Sequence, residues 1–252
     1  MNPPKVLLEV CVGSAAGVLA AAAGGADRAE LCADLVEGGI TPSAGEIELA
    51  VERAPIPVMA MVRPRGGDFL YTDLEYDIMV RDVQAARDRG AAGVVFGVLD
   101  AEGAIDRERT ARLAEAARPL QVTFHRAFDM AQDPNAALET LAELGIDRVL
   151  TSGQEAGAPA GLPLLRRLVE QAGDRVIVMP GAGIDASNIR AVAAETGARE
   201  LHFAALADIE SPMRFRNPRP AMGAGPAPGE FERQVTDPEL VRRAVAALGE
   251  QT

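Results

Sequence analysis

The sequence predicts an α/β fold of the (β/α)8 TIM-barrel type, because three features of that fold occur together. The 252 residues are 48% hydrophobic, which suffices for one large core and is a common length for a single barrel. Short apolar runs alternate with segments of helical periodicity, in units of about thirty residues that suit parallel strands joined by right-handed crossovers. A doubly wound open sheet is the alternative, since strand number alone does not prove closure. We expect residues 1–252 to form one domain.

Eight apolar runs are the candidate strands. In chain order they are Val6–Val12, Arg28–Cys32, Val58–Arg63, Gly93–Leu99, Leu120–Phe128, Arg148–Ser152, Val176–Met179 and Glu200–Ala205. Each is short and rich in the aliphatic residues that favour buried strands. Capping residues begin the segments between them, as in the capping box from Ser43 to Glu46 and the Asp237-Pro238 pair. Several of these segments end in glycine, as at Gly90 and Gly145, which is typical of helix C-termini.

Composition limits the partners and the compartment. A net charge of -12 and a pI near 4.7 disfavour binding to nucleic acid or to anionic membranes, because the field of the protein repels phosphate. We therefore expect no nucleic-acid and no membrane partner. The two cysteines, without a signal peptide, predict free thiols and a cytoplasmic location. The uncharged stretch Val10–Ala26 is rich in Ala and Gly, so it favours a strand followed by a helix over a membrane span.

Two connections differ from ordinary strand–helix loops. Residues Leu206–Thr236, between the eighth strand and the last helix, are rich in Pro and Gly and far longer than usual. We expect this segment to be a lid or a subunit contact. The second is Arg63–Asp68, after the third strand. Both should lie over the mouth formed by the C-terminal strand ends, where the active sites of such barrels lie.

Alternation of side chains along the strands places polar groups inside the barrel. Glu9 and Cys11 share one face of the first strand, and Glu30 and Cys32 share one face of the second. The same parity directs six further side chains inward, namely Met59, Met61, Arg63, Thr123, His125 and His202. Buried carboxylates need partners, and the candidates are Arg63, His125 and His202.

One interpretation of this set is a metal site. Cys11 and Cys32 would hold Cu(I), with help from the thioether of Met59 or Met61, because thiolate and thioether ligands favour Cu(I). The alternative for each cysteine is a small buried hydrophobic residue.

A second interpretation is an enzyme that acts on a small anionic or phosphorylated metabolite. Glu9, Glu30 and His125 would supply acid and base, and Arg63 would bind the anion. The proposed anion site also includes Arg65, Gly181 and Gly183, since the two glycines follow the seventh strand, where such barrels often bind phosphate.

Two structural explanations compete with the enzyme interpretation. The glycines can serve only a tight turn before a helix cap at Asp185. The inward-facing polar groups can form a satisfied ion-pair network with no ligand.

Seven ordered stretches also carry a resemblance to a known family. They are Leu8–Cys11, Ala26–Cys32, Glu37–Ser43, Val62–Phe69, Val122–Asp129, Val149–Gly153 and Ser211–Asn217. Together they resemble the CutC family of copper homeostasis proteins over essentially the whole chain. The resemblance implies a cytoplasmic (β/α)8 barrel that self-associates as a homo-oligomer, a dimer or a tetramer. It also implies Cu(I) binding through Cys11 and Cys32, which occupy positions where the family carries cysteines.

The chain departs from the family pattern at two positions. Where relatives have Cys-Cys, this chain has Cys11-Val12, which removes one soft ligand. The His-x-Ser of the eighth strand is His202-Phe203-Ala204 here, which removes a hydroxyl near the proposed phosphate site. The second change weakens any catalytic role that requires the hydroxyl.

Overall fold

The computed structural model describes residues 5–220 and 229–249. Within these residues, eight parallel strands form a nearly closed barrel and alternate with helices, which confirms the predicted fold class. The barrel strands are β1 Leu7–Val12, β2 Arg28–Leu31, β3 Val58–Met61, β4 Gly93–Phe96, β5 Gln121–Phe124, β6 Arg148–Thr151, β7 Ile177–Pro180 and β8 Glu200–Ala204. Hydrogen-bonded neighbours follow the order β7, β6, β5, β4, β3, β2, β1, β8, and β7 packs beside β8.

Helices cover the outside of the barrel. They are α1 Ala15–Gly24, α2 Ala44–Arg53, α3 Asp73–Asp88, α4 Arg107–Ala117, α5 Pro134–Glu143, α6 Ala158–Ala172, α7 Ile189–Thr196 and α8 Pro238–Gly249. The stretch predicted to be a strand and a helix is therefore β1 and α1. No helix in the described part of the chain is both long and apolar enough to cross a membrane.

Several predicted local features need correction. The third and fourth strands end at Met61 and Phe96, before the predicted Arg63 and Leu99. Only half of the capping box at α2 forms: Ser43 accepts from the Glu46 amide, but the Glu46 carboxylate accepts from the Ala15 amide instead. The fifth strand ends at Phe124, not at Phe128, because a 3-10 turn over Arg126–Met130 follows. His125 therefore lies in the bend between the strand and this turn.

Alternation along the strands separates an apolar layer from a polar one. Leu8, Val10 and Leu31 are buried in the main core between the sheet and the helices. Glu9 and Glu30, on the opposite face of the same strands, are buried inside the barrel. Because the strands are parallel, all their C-terminal ends meet at one mouth, and polar side chains from different strands converge there.

The long connection after β8 is not simply a loop. Its two ends form an antiparallel hairpin, β9 Leu206–Glu210 with β10 Glu232–Thr236. Met213 and Phe215, which follow β9, are exposed. Residues 221–228 of the predicted loop lie outside the described residues. A role as lid or subunit contact stays a prediction.

Candidate functional site

A cavity of about 310 Å³ opens at the mouth of the barrel. Its lining residues are Cys11, Glu30, Glu37, Gly38, Met61, Arg63, Phe69, His125, Arg126, Asp129, Met130, Leu150 and His202. Of the residues singled out from the sequence, the cavity brings together Cys11, Glu30, Met61, Arg63, His125 and His202. Cys32 and Glu9 lie behind its wall, in contact with residues that line it.

Two sulfur atoms lie together on the side of the cavity next to β2: Cys11 lines the cavity, and Cys32 lies directly behind it. Cys11 Sγ lies 3.9 Å from Cys32 Sγ, because Cys11 pairs with Glu30 across the β1–β2 ladder and Cys32 follows directly after β2. Both thiols are free; Cys32 is only 1% exposed, whereas Cys11 is half-buried. Met59 and Met61 pack in the same small cluster as Cys32. Sulfur atoms, which are soft metal ligands, are therefore concentrated on the side of the barrel mouth next to β2.

A glycine keeps the loop after β2 close to this sulfur pair. Gly39 has φ +89, and a Cβ atom there would lie 2.9 Å from Cys32 Sγ and 3.7 Å from Met61 Cε. A larger residue would be strained in this backbone conformation and would also press on the sulfur. Gly39 thus lets the loop approach Cys32 closely.

Glu9 organises the centre of the barrel. It is fully buried, and its carboxylate accepts from Arg28 and lies 2.8 Å from His202 Nδ1. Burial alone would raise the pKa of Glu9, but Arg28 and His202 outweigh burial and hold that pKa at about 2. Glu9 is therefore an anion at neutral pH, and it orients His202.

His202 links Glu9 to Glu30. Burial opposes the charged imidazole, yet Glu30, Cys11 and Glu9 together raise the pKa of His202 well above its usual range. Its Nε2 atom lies 3.8 Å from Glu30 Oε2. Burial, together with the neighbouring charges of Cys11 and Glu9, raises the pKa of Glu30 well above the ordinary carboxyl range.

The two thiols differ in acidity. The hydrogen bond with Cys32, acting against burial, lowers the pKa of Cys11 to about 5. The same hydrogen bond, together with burial, raises the pKa of Cys32 well above the usual thiol range. Cys11 is thus a thiolate at neutral pH, and Cys32 is the proton donor of the pair.

His125 lies on the opposite side of the cavity. Its Nδ1 atom accepts from the Ala127 amide at 3.2 Å, and burial, aided by the charge of Arg63, lowers its pKa to about 3. The imidazole is therefore neutral with its proton on Nε2. That Nε2 atom is buried and has no hydrogen-bond partner among the described residues.

Arg63 acts mainly as a connector of loops. Its guanidinium donates to the carbonyls of Glu37, Gly39 and Gly67 and stacks on Phe69. Neither Arg63 nor His125 is the partner expected for the buried carboxylates; of the three candidates, only His202 has that role. The Nε atom of Arg63 has no partner among the described residues.

The remaining predicted anion ligands do not line the cavity. Arg65 pairs with Glu75 and Asp68 on the surface. Gly181 lies against the barrel, where a Cβ atom would be 2.5 Å from Leu150 Cδ1. Gly183, with φ +65, belongs to the turn before Asp185. The tight turn accounts for Gly183, and the close approach to Leu150 accounts for Gly181. A role of either glycine in anion binding stays a prediction.

Two residues of the candidate site were not predicted from the sequence. Arg28 binds both Glu9 and Glu200 inside the barrel, and its spacing of two from Glu30 carried the signal, because alternation puts both on one face. Asp129 lines the cavity and accepts from Arg126, Thr151 and Ser152. A sequence pattern gives no sign of this second network, since it joins the 3-10 turn after β5 to the end of β6.

Comparisons with known proteins agree on one family. A sequence model described as "CutC family" matches residues 6–207. The chain is 54% identical to a family protein CutC from Mesorhizobium japonicum, over 96% of this chain and 93% of that protein. It is 50% identical to the copper homeostasis protein cutC homolog of Homo sapiens, over 94% of this chain and 86% of that protein.

A solved structure shows the same similarity. A CutC protein from Streptococcus agalactiae is 33% identical, with a TM-score of 0.75, over 79% of this chain and 98% of that one. Fold, sequence model and relatives therefore lead to the same conclusion: this chain belongs to the CutC family.

Proposed function

We propose that this chain is a copper homeostasis protein that binds Cu(I) through Cys11 and Cys32. The observation that carries the proposal is the sulfur pair: the two Sγ atoms lie 3.9 Å apart, with Cys11 lining the mouth cavity and Cys32 directly behind it. Two thiolates and nearby thioethers are the ligands that Cu(I) prefers. The names of the human and mouse relatives, copper homeostasis protein cutC homolog, support the same role.

The residues present fit a soft monovalent ion. Cys11 carries the thiolate that a metal requires, and Cys32 loses its proton when an ion binds beside it. Met61, which lines the cavity and packs against Cys32, is the thioether best placed to join them. Cys11 meets the ion first because Cys32 lies deeper.

A Cu(I) competition titration against a chromophoric chelator, without oxygen, tests the proposal. We expect Cys11→Ser and Cys32→Ser each to weaken Cu(I) binding by at least about tenfold, since each removes one of two soft ligands. Met130→Leu is the matched control, because that thioether lies on the exposed rim. Equal affinity in the parent and in both serine variants would exclude the sulfur pair as the copper site.

Two further parts of the proposal concern the cell and the assembly. We propose a cytoplasmic location and self-association as a dimer or tetramer, in line with the free thiols and the family resemblance. Sedimentation velocity tests the second part, and a purely monomeric protein at micromolar concentration would contradict it.

An enzyme acting on a small anionic metabolite is the second candidate, and the mouth cavity favours it. Its volume lies in the range of small-molecule sites. In this candidate, His125 Nε2–H donates to the substrate, Arg126 attracts its anionic group, and Glu30 and Cys11 supply acid and base. Glu9 positions His202, and Arg63 holds the loops that shape the cavity.

Calorimetry with phosphate and short carboxylic acids tests this candidate. We expect His125→Asn and Arg126→Ala each to weaken binding of such an anion by at least about tenfold, because the first removes the Nε2–H donor and the second removes a cationic guanidinium. Arg242→Ala, on the surface of α8, is the control. No anion binding by the parent, or the same affinity in all variants, would count against an enzyme of this kind.

A further inference from the structure

We propose that Glu30 and His202 extend the sulfur pair into a mixed site for a divalent cation of the Zn²⁺ class. The inference deepens the proposed function, since it rests on the same two thiols. It adds to the two thiols a carboxylate and an imidazole, which Cu(I) does not require. With these two further ligands the site would also bind a second class of metal ion.

Two groups of possible ligands share Glu30. The donor atoms of Cys11, Glu30 and Cys32 lie within 4.8 Å of one another, as do those of Glu9, Glu30 and His202. Cys32 Sγ is 3.5 Å from Glu30 Oε2, and Glu30 Oε2 is 3.8 Å from His202 Nε2. Glu30 is therefore the residue through which sulfur, oxygen and nitrogen donors meet.

Glu30 lacks the partner that comparable residues have. Of the buried glutamates among the described residues, Glu9 pairs with Arg28, and Glu200 pairs with Arg28 and Arg148. Glu30 is 2% exposed and has no arginine partner, and its Oε1 atom has no hydrogen bond among the described residues. A cation beside it would satisfy this buried oxygen.

His202 is held in the orientation of a metal ligand. Its Nδ1 atom is hydrogen-bonded to Glu9, which leaves Nε2 directed toward Glu30. Metal-binding histidines almost always make such a hydrogen bond through the other ring nitrogen, because it fixes the tautomer and the ring plane. Glu9 and Arg28 would thus be positioning residues for the ion.

The donor set identifies the class of metal. Two sulfurs, one imidazole nitrogen and one carboxylate oxygen match the four-coordinate preference of Zn²⁺. Tetrahedral coordination with bonds of about 2.3 Å places two sulfurs about 3.8 Å apart, close to the 3.9 Å observed between Cys11 and Cys32. Cu(I) needs only the sulfurs, so Glu30 is the residue that distinguishes the two metals.

Titration of the reduced protein with Co²⁺, a coloured substitute for Zn²⁺, tests the inference. We expect thiolate-to-cobalt charge-transfer absorption and the visible bands of tetrahedral Co²⁺, both displaced by Zn²⁺. Glu30→Gln should lower Co²⁺ affinity at least tenfold more than it lowers Cu(I) affinity in the same chelator assay. His202→Asn should also weaken Co²⁺ binding by at least about tenfold.

The control separates this inference from the copper proposal. Met130→Leu should change the affinity for neither Co²⁺ nor Cu(I). Thermal unfolding of each variant establishes that the variant is folded. Loss of Co²⁺ binding with Cu(I) binding retained in Glu30→Gln supports the mixed site. Absence of the Co²⁺ bands in the parent, or bands unaltered in both Glu30→Gln and His202→Asn, would overturn it even if Cu(I) binds to the thiols.

Discussion

Replacing Arg28 by methionine is expected to lower the free energy of unfolding by about 3–5 kcal/mol, because it leaves buried carboxylates without their cation. Arg28 bonds to Glu9 and Glu200 and is itself 4% exposed. Urea unfolding measures the loss as a lower midpoint at an unchanged slope. Methionine keeps most of the side-chain volume of arginine. The loss of unfolding free energy therefore reports the missing ion pairs and not a cavity.

The control for Arg28 is an exposed pair of the same kind. Arg175 bonds to Glu139 on the surface, where water solvates both groups, so Arg175→Met should have a much smaller effect. Equal losses in the two variants would contradict the structural role of Arg28.

The pH dependence of stability provides a second readout for the same pair. The folded pKa of Glu9, about 2, is below its ordinary value of 4.5. Glu9 therefore stabilises the fold above pH 4.5, and this contribution is lost as the pH falls from 4.5 toward 2. The contribution should shrink in Arg28→Met, because the main cation that holds the pKa down is gone.

Alkylation of Cys11 is the second large expected effect. With its pKa at about 5, Cys11 should react with iodoacetamide at a rate that is constant from pH 6 to 8 and falls tenfold per pH unit below 5. At pH 6 an ordinary thiol is almost fully protonated, and after allowing for the lower nucleophilicity of an acidic thiolate we expect Cys11 to react roughly tenfold faster. Mass spectrometry of the labelled peptide measures this rate.

The partner cysteine supplies the control. Cys32 is the main cause of the lowered pKa of Cys11, so in Cys32→Ala the half-maximal pH for alkylation should rise. Cys32 itself, buried and with its pKa raised, should stay unlabelled at pH 6. A rate that keeps increasing up to pH 9 in the parent would show that Cys11 is an ordinary thiol.

The sequence predicts the barrel well because its signals are local. Apolar runs such as Val58–Arg63 contain the strands, here β3, and Asp237-Pro238 begins α8 as expected. The strand parity of Glu9, Cys11, Glu30 and Cys32 also follows from local alternation, and it brings the four residues together inside the barrel. The end of β5 was missed because the apolar residues Ala127 and Phe128 are buried by a 3-10 turn as well as they would be by a strand.

The partners within the site were harder to predict, because they depend on distances between strands. Arg63 was a candidate partner for the buried carboxylates, yet its two terminal guanidinium nitrogens donate to backbone carbonyls of two loops. Arg28 lies one layer deeper and meets Glu200 from the far end of the chain. To choose between these two arginines, one must know how far β2, β3 and β8 are shifted along the barrel axis relative to one another. The hydrophobic periodicity of the sequence carries no information on this shift.

The hairpin of β9 and β10 has a consequence for how the protein tolerates change in length. Thr236 pairs with Leu206, and the Asp237 amide bonds to Ala205, so the two ends of the connection are joined where it leaves the barrel. The docking of α8 then does not depend on how many residues lie between the two strands. Each doubling of such a closed segment costs only about 0.6 kcal/mol of chain entropy. The hairpin is therefore a natural insertion point, at which new sequence can be added without disturbing the barrel.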